Sequence, residues 1–448
     1  MKEYNMLKDH PGKSLLFFSI PMIAGNLFQQ FYNMADSIIV GRFVSEDALA
    51  AVGASYSLTT VFIMIAIGGG IGSSVVISQY LGAREYGKMK TSIYTALISF
   101  AVLSMILFIF GIFANVRLLT LLRTPDNIFN DAVLYLEIYF MGLPFLFMYN
   151  ILSSVFNSMG KSKIPLYLLI FSSIINVLLD LFMVIVMKKG VAGVAIATVI
   201  AQGISAVISF FILMKTVQAY ETQKEEVHIF NIQILKKMFF ISVPSVLQQS
   251  IVSIGLVLVQ SVINSFGSPI LAGYSAATRI ESICIVPMIA SGNAISTFTA
   301  QNLGAGQYER VREGYKAAYK IIISFSIIIA LTIAVFYRPI ISIFLDVESG
   351  TKAFNTGISY LRFIGYFFVL IGLKSITDGV LRGAGDMVVF TISNLVNLGM
   401  RVVIAFKFAP IVGAQAVWYA IPIGWAANYI ISFSYYLLGK WSHKSILT

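Results

Sequence analysis

The sequence predicts an all-α integral membrane protein with twelve transmembrane helices, arranged as two six-helix bundles related by a pseudo-two-fold axis along the membrane normal. Composition is the first reason. Of the 448 residues, 58% are hydrophobic and only 11% are charged, whereas a soluble domain carries about 25% charged residues. The other two reasons are a series of long apolar runs and a clear similarity between the two halves of the chain.

The apolar runs are long enough to cross a bilayer as helices, which takes roughly 20 residues each. They are continuous rather than alternating at every second residue, so the pattern excludes a porin-like barrel. The predicted spans are 14–41, 49–80, 91–116, 130–157, 165–187, 191–215, 236–265, 270–300, 314–337, 354–381, 387–408 and 411–438.

The net charge is +11, and the basic residues behind it are distributed along the chain as in a membrane protein rather than as in a nucleic-acid-binding protein. With twelve spans, most Lys and Arg residues of the predicted loops fall on the side that carries both termini. Because cytoplasmic loops are enriched in these residues, we expect both termini in the cytoplasm and no nucleic-acid partner. The single cysteine, Cys284, leaves no internal disulfide or CxxC metal site. We expect no cofactor, and we see no cleaved signal peptide.

Internal repetition divides the chain near its middle. FFSIPMIAGNLFQQ (17–30) is similar to FFISVPSVLQQS (239–250), and SQYLGAREYGK (78–88) is similar to AQNLGAGQYER (300–310). Five such matches occur in order, each at a shift of about 220–225 residues, which indicates duplication of one unit. We therefore predict an N-terminal six-helix bundle at 1–216, a cytoplasmic linker at 217–235 and a C-terminal six-helix bundle at 236–448.

Six helices per half make the two repeats parallel. Two similar bundles that face each other would enclose a cavity, which is the geometry expected of an alternating-access transporter. Within this frame, Pro21 and Pro244 fall inside long predicted helices, where proline removes a hydrogen bond and bends the helix. We predict that these two prolines act as a helix-bend gate.

Acidic residues inside the first half predict a cation-coupling site. Asp36 lies in the first span, Asp180 lies in the fifth span four residues after Asn176, and Thr198 lies near the start of the sixth. Ionisable residues inside the membrane are functional candidates by default. Two carboxylates, an amide and a hydroxyl suit a proton or a small hard cation such as sodium. In the alternative interpretation, Asp36 caps a helix end near Gly41 and Asp180 hydrogen-bonds to Asn33 or Tyr32.

The second half lacks this acidic set. Asn397 matches Asn176, but Arg401 stands in place of Asp180 and Trp418 in place of Thr198. Arg401 could form a structural ion pair with Glu281 or Asp378, which we favour, or contact an anionic group of a substrate. We also predict a substrate cavity, and its candidate residues are Tyr32, Met288, Lys374 and Arg401.

The residues resemble the multidrug and toxic compound extrusion (MATE) family over essentially the whole chain. The similarity is carried by SIPMI…NMADSIIVGRF, SQYLGAREYGK, NVLLD, GVAGVAIAT, VLRGAGD and LGAGQ. It is closest to the DinF-like bacterial branch, because the acids of the first half are present and the acidic site of the second half is not evident.

The resemblance implies export of amphipathic, often cationic compounds, driven by inward sodium or proton gradients, with Asp36, Asn176, Asp180 and Thr198 as the N-lobe cation site. We therefore expect a multi-pass protein of the bacterial inner membrane, working as a monomer with a small-molecule substrate and the lipid bilayer as its partners. We do not expect an enzyme. A flippase for a lipid-linked precursor, from the same superfamily, is the alternative function.

Overall fold

The structure is a computed structural model and describes residues 5–222, 226–345 and 351–443. Within these residues the fold is helical throughout, without a β-strand, as the apolar runs predict. The helices are α1 Pro11–Phe43, α2 Glu46–Gly82, α3 Tyr86–Leu121, α4 Asp126–Met141, α5 Leu143–Ser158, α6 Lys163–Leu181, α7 Gly190–Gln218, α8 Ile232–Asn264, α9 Ser268–Cys284, α10 Val286–Gly304, α11 Tyr308–Ser342, α12 Lys352–Gly365, α13 Phe368–Ala384, α14 Met387–Val412 and α15 Gln415–Leu437.

Three of the predicted spans are broken helices rather than continuous ones. The pairs α4–α5 and α12–α13 each bend by 50°, and α9 passes into α10 at Ile285. Pro144 and Pro287 stand at the start of α5 and α10, where a missing N–H costs no helical hydrogen bond. The fifteen helices thus correspond to the twelve predicted spans.

Eight helical segments and two bent pairs of the described chain satisfy the length and apolar composition of a membrane span. The other two predicted spans are α1 and α15, which are helical over 33 and 23 residues. Polar residues such as Gln29, Gln30 and Asn33 make α1 less apolar than the other spans.

The chain divides into two compact units, Ala24–Val246 and Met1–Ile23 with Leu247–Thr448. The divisions fall inside α1 and α8, each two residues beyond a proline, Pro21 or Pro244. The first part of α8 therefore belongs with the first six helices, and the first part of α1 belongs with the last six. The predicted bundles followed chain order and did not include this exchange.

Glycines of α2 explain why the first part of α8 belongs to the first unit. A Cβ atom on Gly72 would lie 2.7 Å from the Met238 carbonyl oxygen, and one on Gly68 would lie 2.7 Å from the Val246 nitrogen. The Ser242 hydroxyl donates to the Gly69 carbonyl at 3.1 Å. The run GGGIGSS (68–74) thus lets two helix backbones approach closely, as small residues do in membrane proteins.

Polar contacts hold the segment before α1 to the second unit. Asn302 Nδ2 donates to the Met6 carbonyl at 3.2 Å, and Arg310 Nη2 donates to the same oxygen at 3.1 Å. In the first unit, backbone amides of the segment before α8 bind hydroxyls of α3: His228 N donates to Thr91 Oγ1 and Asn231 N to Thr95 Oγ1, both at 3.0 Å. Each repeat thus anchors a segment that leads into a proline-containing helix.

Candidate functional site

The four residues of the predicted cation-coupling site lie together in the first unit. Asp36 is on α1, Asn176 and Asp180 are one turn apart on α6, and Thr198 is on α7. Asp180 is completely buried and Asn176 is 1% exposed, while Asp36 and Thr198 are partly buried. Because α1 continues to Phe43, Asp36 does not cap the helix end.

The Asn176 amide connects the other three side chains. Its orientation is assigned from the groups that surround it, and its nitrogen then donates to Asp36 Oδ1 and to Asp180 Oδ2, at 3.0 Å each. In the same orientation its oxygen accepts from Thr198 Oγ1 at 3.3 Å. One side chain thereby ties three helices into a single polar cluster.

One oxygen of this cluster has no partner. Asp180 Oδ1 is buried and makes no hydrogen bond within the described part of the chain, and the Asp36 carboxyl is its acidic neighbour. Two carboxylates this close repel each other and are costly to keep ionised together in a buried site. A proton or a small monovalent cation at this oxygen would relieve the repulsion.

The donor set favours such a light ion over a transition metal. The cluster offers carboxylate, amide and hydroxyl oxygens, which are hard ligands. Over the residues that the structure describes, no three or more His, Cys, Asp or Glu side chains are grouped so that they could hold a metal ion. The geometry therefore fits the predicted choice between a proton and sodium.

Apolar residues pack beside the acids. Ile39 and Val40 of α1 are buried against Val184, Val191 and Val194, which follow Asp180 in the chain. The chain makes a π-helical turn between α6 and α7, at Phe182–Val186, and such turns are frequent at functional sites. A dry wall of this kind strengthens electrostatic interactions next to it, because it excludes the solvent that would screen them.

Tyrosines also adjoin the cluster. Tyr32, a predicted cavity residue, interacts with Asp36 and Thr198, and Tyr135 of α4 lies within electrostatic range of both carboxylates. Tyr135 could not be selected from the sequence, because tyrosine is common at membrane interfaces.

A crevice adjoins these tyrosines. It has room for about one water-sized occupant and is too small for a drug-sized ligand. The lining residues are Tyr135, Tyr139, Gly142, Leu146, Ala195, Thr198, Val199 and Gln202.

The second repeat uses its charges differently. Lys374 Nζ lies 2.9 Å from Asp378 Oδ2 in a buried ion pair and donates to Asn394 Oδ1 at 3.0 Å. Ser432 Oγ donates to Asp378 Oδ1 at 2.9 Å. Lys374, predicted as a cavity residue, therefore binds Asp378 of its own helix and Asn394 of α14, and Ser432 of α15 binds Asp378. Asp378 pairs with Lys374 rather than with Arg382, whose guanidinium donates to Asn293 Oδ1 at 2.7 Å.

Arg401 forms neither of the ion pairs that the sequence suggested. Within the described ranges it has no carboxylate partner inside 4.0 Å, and its Nε is buried without a hydrogen-bond acceptor. Glu281 instead accepts a hydrogen bond from the Tyr360 hydroxyl at 2.5 Å. The remaining cavity candidate, Met288, is completely buried and contacts no open space in this conformation.

Twelve membrane-spanning helices in two six-helix repeats, with a buried acid pair in one of them, define a polytopic membrane transporter rather than an enzyme. The chain belongs to the MatE family, whose family model matches residues 21–182 and again 244–406. Because one model matches both halves, the duplication read from the sequence is confirmed.

Similar proteins support this assignment over the full length. The chain is 29% identical to the probable multidrug resistance protein YpnP of Bacillus subtilis (strain 168), over 100% of both chains. It is 27% identical to YoeA of the same organism, also described as a probable multidrug resistance protein, over 97% of this chain and 95% of the relative. A solved outward-facing multidrug resistance MATE transporter of the MOP superfamily has the same fold, with a TM-score of 0.90, 24% identity and 99% coverage of both chains.

Proposed function

We propose that this protein is a secondary active antiporter that exports amphipathic, often cationic organic compounds in exchange for protons or sodium. The observation that carries this proposal is the close pair of acids, Asp36 and Asp180, in which Asp180 Oδ1 has no hydrogen-bond donor within the described residues. An ion entering from the outer side would neutralise the acid pair, and its release on the inner side would restore the repulsion. The similarity to multidrug resistance proteins supports the substrate class.

The proposed transport cycle needs both ends of the protein to open in turn. Pro21 and Pro244 lie beside the points at which α1 and α8 pass from one compact unit to the other. Bending there would change access, because a mid-helix proline weakens the helix locally. The ion would act through α1, which carries both Pro21 and Asp36.

In this proposal the protein works as a monomer in the bacterial inner membrane, with both termini in the cytoplasm and without a cofactor. The excess of Lys and Arg in alternate loops supports this orientation. Four side chains of one unit supply the whole ion site, so the proposal needs no second copy of the chain.

The test is ethidium efflux from proteoliposomes on which sodium and proton gradients are imposed separately. We expect efflux to follow one of the two gradients in the wild type and to vanish in Asp180→Asn. The control is Asp126→Asn, which removes an exposed acid at the start of α4 in the same unit and should leave efflux unchanged. If neither gradient drives efflux of ethidium or of a panel of other cations by the wild type, the result would contradict the proposal and favour the flippase.

A further inference from the structure

Three buried polar atoms without partners lie on α14 and α15 of the second repeat. They are the Arg401 Nε, the Trp418 Nε1 and the Asn397 Oδ1, and none has a hydrogen-bond partner within the described residues. Trp418 is 8% exposed and Asn397 is 7% exposed. Native proteins rarely leave buried polar groups unpaired, and such groups indicate a water or ion that completes the site.

Tyr360 of α12 links these side chains into one cluster. Its ring centroid lies 5.8 Å from that of Trp418, and its hydroxyl donates to Glu281 Oε2 at 2.5 Å. Glu281 and Tyr360 both lie within electrostatic range of Arg401. The cluster therefore contains a guanidinium Nε–H and an indole N–H that lack acceptors within the described residues, beside a carboxyl that already has a donor.

Close packing fixes the position of this arginine. A Cβ atom on Gly424 of α15 would lie 2.7 Å from Arg401 Cγ and 2.4 Å from Asn397 Oδ1. The stem of Arg401 and the Asn397 amide therefore lie against the α15 backbone. This contact limits the rearrangements by which the guanidinium could reach Glu281.

The chemistry of the two N–H donors favours an anionic ligand. Both the Arg401 Nε and the Trp418 Nε1 carry N–H donors and can only donate. The guanidinium stays charged, so it repels cations. Glu281 reduces the positive potential around Arg401, but it does not accept a hydrogen bond from the Arg401 Nε or the Trp418 Nε1. A small anion that reaches both donors would satisfy them, and the Asn397 amide can turn its nitrogen toward the same anion.

We propose that the Arg401–Trp418 cluster of the second repeat binds a small anion, either a halide such as chloride or a carboxylate group. The bound anion can have either of two sources, an inorganic ion or an anionic group on a transported compound. The binding itself does not depend on the proposed export function, so each can fail without the other.

The first experiment measures the melting temperature of the protein in lipid nanodiscs. Sodium chloride and sodium acetate are each compared with sodium gluconate at equal ionic strength, because a ligand that binds the folded state raises its stability in a saturable way. We expect both small anions to raise the melting temperature of the wild type. In Arg401→Gln the half-saturating concentration should rise about tenfold or more, as is usual when a hydrogen bond to a charged group is lost.

Trp418→Phe keeps the ring and removes only the N–H, so it tests the site if Arg401→Gln folds poorly. It should weaken anion binding by a smaller factor than Arg401→Gln. The controls are Trp425→Phe, a buried indole on the same helix, and Arg362→Gln, an exposed arginine beside Tyr337. Both should keep the wild-type response. An absent anion effect, or an effect that persists in both cluster variants, would overturn the proposal.

A transport measurement separates the two sources. If the anion belongs to the substrate, Arg401→Gln should lose export of a carboxylate-bearing compound while it retains export of ethidium. If the anion is inorganic, export of both compounds should respond alike to replacement of chloride by gluconate in the wild type. Failure of ethidium export in the wild type would contradict the antiporter and leave the binding result standing.

Discussion

The two repeats place side chains of opposite charge at equivalent positions. In the first repeat Asn176, Asp180 and Thr198 form an acidic cluster with Asp36, and one oxygen of Asp180 lacks a partner among the described residues. In the second repeat Asn397, Arg401 and Trp418 stand at the matching positions, and the groups left without a partner in the described part of the chain include N–H donors. Duplication thus preserved the helices and the asparagine, while the charge beside it changed sign.

The difference indicates a division of roles between the repeats. A buried charge is retained at a cost only when something compensates for it. In the second repeat the Lys374–Asp378 pair supplies its own compensation, so a moving ion is not needed there. In the first repeat Asp36 and Asp180 have no basic partner within the described residues, and the proposed coupling ion would supply the compensation.

The largest expected effect comes from removing an acid of the first repeat. We expect Asp36→Asn to reduce gradient-driven export to the level of protein-free liposomes while the protein still inserts, because the neutral amide cannot take up the ion. Asp378→Asn, which changes a buried acid of the second repeat, should retain gradient dependence per reconstituted protein. Efflux assays on matched amounts of folded protein check this, and normal export by Asp36→Asn would remove the basis for the cation site.

The next effect concerns stability and belongs to the second repeat. Lys374→Met should destabilise the protein by about 3–5 kcal/mol, because it leaves Asp378 charged and buried. The double variant Lys374→Met with Asp378→Leu should recover most of that loss. Equilibrium unfolding in detergent measures both. The first repeat has no such ion pair, because the uncharged Tyr149 and Ser153 stand at the corresponding positions. If the single and double variants are equally stable, the Lys374–Asp378 pair does not matter for stability.

A third prediction compares the helix contacts of the two repeats. Gly72→Ala should destabilise the protein by about 1–3 kcal/mol, since the new methyl group would overlap the α8 backbone. The matching residue of the second repeat is Ala294, so a methyl group is tolerated there. Gly53→Ala is the control on the same helix, because a Cβ at Gly53 meets nothing within 4 Å. Melting temperatures of the two variants should therefore move in opposite directions.

The sequence predicted the helices and the first-repeat cluster because both leave strong local signals. Apolar runs reveal spans, and a carboxylate inside such a run is conspicuous. Three spans were expected to be continuous and are broken, because helix bends depend on packing as well as on proline. The Lys374–Asp378 pair has the four-residue spacing of an intrahelical ion pair. Its partners Asn394 and Ser432 were not predictable, because they lie on α14 and α15 and the sequence does not encode the relative rotation of helices.

The smallest expected effect concerns Thr198, which has Trp418 as its counterpart in the second repeat. Thr198→Val removes the hydroxyl that contacts Asn176 and keeps the shape of the side chain. A typical hydrogen bond contributes about 0.5–1.5 kcal/mol, so the half-saturating concentration of the coupling ion should rise by roughly two- to tenfold. Thr198→Ser retains the hydroxyl and should restore the wild-type value. If instead Thr198→Val and Thr198→Ser weaken ion dependence equally, the methyl group of Thr198 matters rather than its oxygen, and the cation site would consist of Asp36, Asn176 and Asp180 alone.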